Sequence, residues 1–212
     1  MKYHNTRRSS ALAIVALLLT LAAHTSVAAE RVALVIGNAS YPEDPLDNPV
    51  NDARAMSARL SDFGFEVTTV LDADLKAMQR AVLSFTAALE PRSTAVVFYA
   101  GHGVQANGRN YLMPVDAQAT AERELRFEAV NMNDILEEIE LARPQMSIVI
   151  LDACRNNPFE KKLRGGSRGL AVVDAATGTL IAYSTAPGSV AADGDGRNGL
   201  YTEQLLAALD TP

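Results

Sequence analysis

Short apolar, β-branched runs alternate along this chain with amphipathic stretches, and that alternation restricts it to an α/β domain on a mostly parallel sheet. The runs are Arg31–Ile36, Phe65–Val70, Thr94–Tyr99, Ser147–Leu151 and Thr179–Tyr183. Ala95-Val96-Val97-Phe98 is apolar throughout, as a strand covered on both faces should be. Helical spacing marks Pro49–Asp62, where Val50, Ala53, Met56, Ala58 and Leu60 are apolar and Gly64 lies just past the end. Further helices are expected over Asp74–Leu89, with Asp74 as N-cap and Pro91 beyond, and over Asn131–Ala142 and Leu200–Leu209. Val104–Pro114 reads as a small hairpin turning at Asn107-Gly108, and Arg155–Gly178 as a long, polar, Gly-rich connection.

The first 29 residues read as a signal peptide rather than as fold. Lys2, Arg7 and Arg8 supply a positive start, Ala11–Ala23 an apolar centre, and Ser26-Val27-Ala28-Ala29 a small-residue cleavage region. The apolar centre falls short of the ~20 residues that span a bilayer, so no stable membrane span is expected once the leader is gone. The expected location is therefore outside the cytoplasm, periplasmic or secreted. Residues 30–212 are enough for one domain with a substantial core. Loss of Lys2, Arg7 and Arg8 takes the formal charge from −6 to −9, which argues against nucleic acid as a partner.

With the leader set aside, one cysteine and one histidine remain. His102 follows the third apolar run in Tyr99-Ala100-Gly101-His102-Gly103, and Cys154 follows the fourth in Leu151-Asp152-Ala153-Cys154-Arg155. In parallel α/β sheets, functional groups gather at the carboxyl ends of strands. Two neighbouring strands of this kind would bring thiol and imidazole together. A free thiol is only a few per cent thiolate at pH 7, so a nearby imidazole that takes its proton activates it, and the same imidazole can protonate a leaving amine. A lone cysteine cannot form an internal disulfide, and on its own it reads more often as a small buried residue; the joint placement with His102 is what favours catalysis.

These segments resemble the caspase-like cysteine proteases, and in particular their bacterial metacaspase or orthocaspase branch. The resemblance runs through Arg31–Asn38, Leu46–Ala53, Phe98–Gly103, Asp152–Arg155 and Ala182–Ala186, and covers about Arg31 to Leu209. It implies a caspase–haemoglobinase fold, a three-layer sandwich with a mostly parallel sheet between helices. It also implies a peptidase domain over residues 30–212 acting on protein or peptide substrates, with Cys154 as nucleophile and His102 as general acid. The backbone amides of Gly103 and Cys154 would form the oxyanion hole. No cofactor is required by that chemistry.

Substrate-binding candidates are Asp152, Asp47 and Ser184. Asp152 stands two before the nucleophile, where caspases carry glutamine and metacaspases an acid, and a carboxylate there favours Arg or Lys in the substrate. The competing assignment is an aspartate that caps the following turn. The second acid of the metacaspase pattern aligns with Pro187, and Arg155-Asn156-Asn157-Pro158 departs from the usual His-Ser-Gly. Residues 155–178 match an intersubunit-type loop, with self-cleavage candidates at Lys162, Arg164 and Arg168. Asp193-Gly194-Asp195-Gly196 offers carboxylates compatible with calcium, but it lacks the full EF-hand pattern and a plain Asp-Gly turn is the favoured reading. The alternative function is a catalytically inert module of the same fold that binds or scaffolds. A nucleotide-binding domain is excluded, because Ile36-Gly37-Asn38-Ala39-Ser40 is not a phosphate loop.

Overall fold

The computed structural model describes residues 30–154, 170–171, 173, 176–184 and 196–211, with Cys154 described in its backbone alone. The leader, the self-cleavage candidates Lys162, Arg164 and Arg168, and Asp193 and Asp195 of the calcium-compatible loop lie outside the described residues.

The strands β1 (Arg31–Gly37), β2 (Glu66–Leu71), β3 (Thr94–Ala106), β6 (Met146–Cys154) and β7 (Thr179–Tyr183) form a parallel sheet in the order β2-β1-β3-β6-β7. The helices are α1 (Pro49–Asp62), α2 (Leu75–Ala87), a single turn α3 (Leu125–Glu128), α4 (Met132–Ala142) and α5 (Leu200–Leu209). Strand β3 is buried on both faces because its alternate residues belong to two separate cores. Ala95, Val97 and Tyr99 pack with Met78, Val82 and Phe85 of α2 and Ile135 and Ile139 of α4. Val96, Phe98 and Ala100 pack with Ala53, Met56 and Leu60 of α1, and α5 lies against the same cluster. The result is the expected three-layer α/β architecture. Each fully buried side chain such as Phe98 or Met56 contributes about 1.5–3 kcal/mol of burial.

Local chemistry sets the element ends. Pro49 opens α1, where its missing N–H costs nothing, and Gly64 at φ 77° follows the C-cap Phe63. Asp74 caps α2 by accepting from the Ala77 amide at 2.7 Å. Helix α4 ends differently, on Arg143 in the left-handed region at φ 52°.

Two expectations need correction. The third and fourth apolar runs were expected to stop at Tyr99 and Leu151, but β3 continues to Ala106 and β6 to Cys154. The register between them extends to Ala100↔Asp152, Gly101↔Ala153 and His102↔Cys154. Pairing on both sides overrides the turn signal of the glycines, since β4 (Arg109–Leu112) also pairs antiparallel with Gly103–Ala106. The hairpin does turn at Asn107 and Gly108, at φ 50° and 75°. The second correction is one of omission: α3 and the two-residue β5 (Val130–Asn131) have no apolar period long enough to be read in advance.

Candidate active site

His102 is therefore a strand residue, paired across the sheet with Cys154. It is 3% exposed. On its far side lies the loop that leaves β1, residues 38–48. The ring Nε2 lies 2.7 Å from the Asp44 carbonyl oxygen. A carbonyl only accepts, so Nε2–H donates to it, and in the neutral ring Nδ1 then holds the free lone pair. Nδ1 is buried and has no hydrogen-bond partner among the described residues. The Asp44 carboxylate lies 3.6 Å from Nε2 and supports the same tautomer.

Both backbone groups of His102 are held by buried phenols. The His102 amide donates to the Tyr41 hydroxyl at 3.0 Å, and the Tyr99 hydroxyl donates to the His102 carbonyl at 2.6 Å. Tyr41 donates in turn to the Met113 carbonyl at 3.1 Å, and the Met113 amide donates to the Tyr99 hydroxyl at 3.1 Å. Asn38, fully buried, donates to the same Met113 carbonyl at 3.0 Å and accepts from the Ala73 amide at 2.9 Å. The Tyr41 ring also lies against the imidazole, with centroids 4.3 Å apart.

Burial pushes the Tyr41 phenol up to about 12, and burial pushes that of Tyr99 well above its ordinary value. Both therefore stay neutral donors at working pH. Gly101 makes room for them. Its φ is +152°, and a Cβ there would stand 2.7 Å from the Tyr41 hydroxyl and 2.8 Å from that of Tyr99. Gly103 is similarly confined, since a Cβ would come 3.0 Å from Ala153 Cβ and 3.1 Å from Leu170.

A second polar cluster lies toward α5. Asp152 Oδ2 accepts from Thr202 Oγ1 at 2.6 Å. Asp52, on α1 and 3% exposed, accepts at Oδ1 from Asn198 Nδ2 at 2.8 Å and the Gly199 amide at 3.0 Å. The Oδ2 atoms of Asp52 and Asp152 converge on one point, since a Cβ on Gly199 would lie 3.1 Å from the first and 3.6 Å from the second. One carboxylate is buried and the other half-buried, and both approach the backbone of Gly199, where a side chain would crowd them. Burial, with the Asp152 charge second, raises the neighbouring Tyr201 phenol.

The structure thus brings Asp152 to a partner acid, but that partner is Asp52. Asp47 is exposed on the loop before α1, without the hydrogen bonds that tie Asp52 to residues 198–199. Ser184 follows β7, with its amide donating to the Leu151 carbonyl at 2.9 Å. Asp52 had a legible signal: it falls on the buried stripe of α1 with Pro49, Ala53, Met56 and Leu60, where a charge must find partners. Tyr41, Thr202 and the Asp44 carbonyl had none. Among the described residues no group of three or more His, Cys, Asp or Glu side chains is placed to hold a metal, and no helix is long and apolar enough to cross a membrane.

A three-layer domain whose neighbouring parallel strands present a histidine and a cysteine in register is a caspase-like α/β domain. The family model described as Caspase domain matches residues 30–212, and the chain belongs to that family. It is 32% identical over 130 residues to the human mucosa-associated lymphoid tissue lymphoma translocation protein 1, and equally to the mouse homologue. Those matches cover 61% of this chain and 15% of either relative. A crystal structure of a protein from Geobacter sulfurreducens shares the fold, with a TM-score of 0.60 at 18% identity over 84% of this chain and 81% of that one.

Proposed function

We propose that this chain is a cysteine endopeptidase cleaving after Arg or Lys, with Cys154 as nucleophile and His102 as its acid–base partner. The observation that carries the proposal is the His102 ring: Nε2–H is spent on the Asp44 carbonyl, while the buried Nδ1 has no partner among the described residues. Register partners on neighbouring parallel strands share a sheet face and lie about 4.8 Å apart, which supports the Cys154 thiol as the group that Nδ1 serves.

In this mechanism Nδ1 takes the thiol proton and the thiolate attacks the scissile carbonyl carbon. The oxyanion is met by the amides of Gly103 and Cys154, each such donor being worth about 10²–10³ in rate. The imidazolium then returns the proton from Nδ1 to the leaving amine, and water hydrolyses the thioester. Asp52 and Asp152 hold the basic side chain before the cut, and Ser184 lies beside the substrate backbone. The tyrosine clamp keeps the histidine peptide still. The same specificity turned on the chain's own loop gives cuts after Lys162, Arg164 or Arg168. With the leader removed, the enzyme works outside the cytoplasm, periplasmic or secreted, on proteins or peptides.

The test is a fluorogenic peptide panel with Arg, Lys, Asp or Asn before the scissile bond. The full chain is compared with Cys154→Ala, with and without calcium. Turnover of Arg and Lys peptides that vanishes in the variant is expected. No turnover of any peptide by the folded chain would refute the proposal in favour of a binding module.

A further inference from the structure

A cleft of about 550 Å³ opens on the other side of His102 from Cys154, within the size range of built ligand sites. It lies between the loop that leaves β1 and the segment that follows β4, and His102 forms part of its wall. Its apolar lining includes Pro42, Met113, Pro114 and Ala119, and Glu43 and Asp116 add carboxylates. Among the described residues that line it there is no lysine or arginine. Its position is set by the sheet. Going outward from β3, Asp152 and Ser184 lie on the β6–β7 side, whereas the cleft lies on the β1 side.

A peptide whose basic residue is held by Asp52 and Asp152 must pass its scissile bond over Cys154 and His102. Its leaving half then continues toward β1 and into this cleft. The wall it meets first is His102, a buried side chain whose Nδ1 has no partner among the described residues.

We propose that this cleft is the subsite for the leaving half of the substrate, and that it selects a long basic side chain within the first three residues after the cut. The inference rests on the peptidase reading above. The aliphatic stem of a Lys or Arg would lie along Pro42, Met113, Pro114 and Ala119, with its charged head toward Glu43 and Asp116. Asp116 also accepts from the Leu75 amide at 2.9 Å, which fixes that carboxylate at the start of α2. The Asp44 carbonyl, already committed to His102, makes the subsite and the imidazole share one loop.

The experiment uses internally quenched peptides with Arg before the cut and Lys, Ala or Glu placed in turn at each of the next three positions. Full-length chain and Glu43→Lys are compared through the Lys-to-Glu ratio of kcat/KM within each enzyme. The expected result is a ratio of about fivefold or more at one position, what a partly exposed charge pair supplies. It should shrink in high salt and fall or invert in Glu43→Lys. Cleavage of all peptides at equal rates would overturn the subsite and leave the peptidase standing. A preference for Lys that Glu43→Lys and salt leave untouched would also overturn it. Cleavage of none would overturn the peptidase reading itself, together with the subsite that rests on it.

Discussion

Replacing Tyr41 with phenylalanine removes one hydroxyl from the clamp and keeps the ring that lies 4.3 Å from the imidazole. The Met113 carbonyl loses one donor but keeps Asn38. The His102 amide loses the acceptor it has at 3.0 Å. One buried N–H left without a partner costs about 1–3 kcal/mol, and that is the expected deficit near neutral pH. The phenol adds a pH signature. Burial raises it to about 12 in the folded chain against an ordinary value of 10.0. Its stabilisation is complete below the unfolded value, and is lost as pH climbs through the folded one, because the unfolded chain releases that proton first. The loss amounts to about 2.7 kcal/mol, at 1.36 kcal/mol per unit. Tyr41→Phe lacks that proton, so its deficit should shrink steadily between about pH 10 and 12. Tyr99 remains in both chains with burial as the main cause of its raised phenol, but Tyr41 adds to that shift and the variant loses its share. Urea unfolding in steps from about pH 8 upward measures the deficit. A deficit constant across that range, or no deficit at neutral pH, would refute the clamp.

Three further outcomes are expected. Gly101→Ala should cost more than about 3 kcal/mol, since its Cβ would meet two buried hydroxyls, whereas Gly108→Ala, strained only at φ +75° with open space around it, should cost about 1 kcal/mol; urea midpoints compare the two. Asp52→Asn should lower kcat/KM for Arg peptides by at least about tenfold, and an unchanged value would remove Asp52 from the pocket. Burial tends to raise the Asp72 carboxyl, but the Ala39 and Ser40 amides, the Ser40 hydroxyl and Arg54 hold it below its ordinary value. Its contribution is present above the unfolded carboxylate value and lost as pH falls through the folded one, so Asp72→Asn should be less sensitive to acid than the parent chain in unfolding titrations.

Much of the fold was legible because burial on both faces leaves an unbroken apolar run, as in Val96-Val97-Phe98, and a helix leaves a stripe, as in Ala53, Met56 and Leu60. Strand ends were not. Glycines at 101 and 103 look like a turn in one chain, but β4 and β6 together supply enough pairing to carry β3 through them to Ala106. In the candidate site, the signal at Asp152 was its place two before the cysteine. Asp47 drew attention because it is acidic and close to α1, whereas the acid that faces Asp152 is Asp52, a charge on a buried stripe that the apolar count passed over.

The sequence by itself determined the alternation that makes an α/β domain and the placement of one histidine and one cysteine just beyond two of its apolar runs. These are local properties, written in period and neighbour. Only the tertiary structure decided which imidazole nitrogen is left without a partner, because Asp44 stands 58 residues from His102. It also decided that Tyr41, 61 residues away, holds the same peptide, and that Asp52 and Asp152 converge where Gly199 leaves room. A contact between distant residues has no periodicity to betray it; it exists once the sheet has set the register and the loops have closed around it.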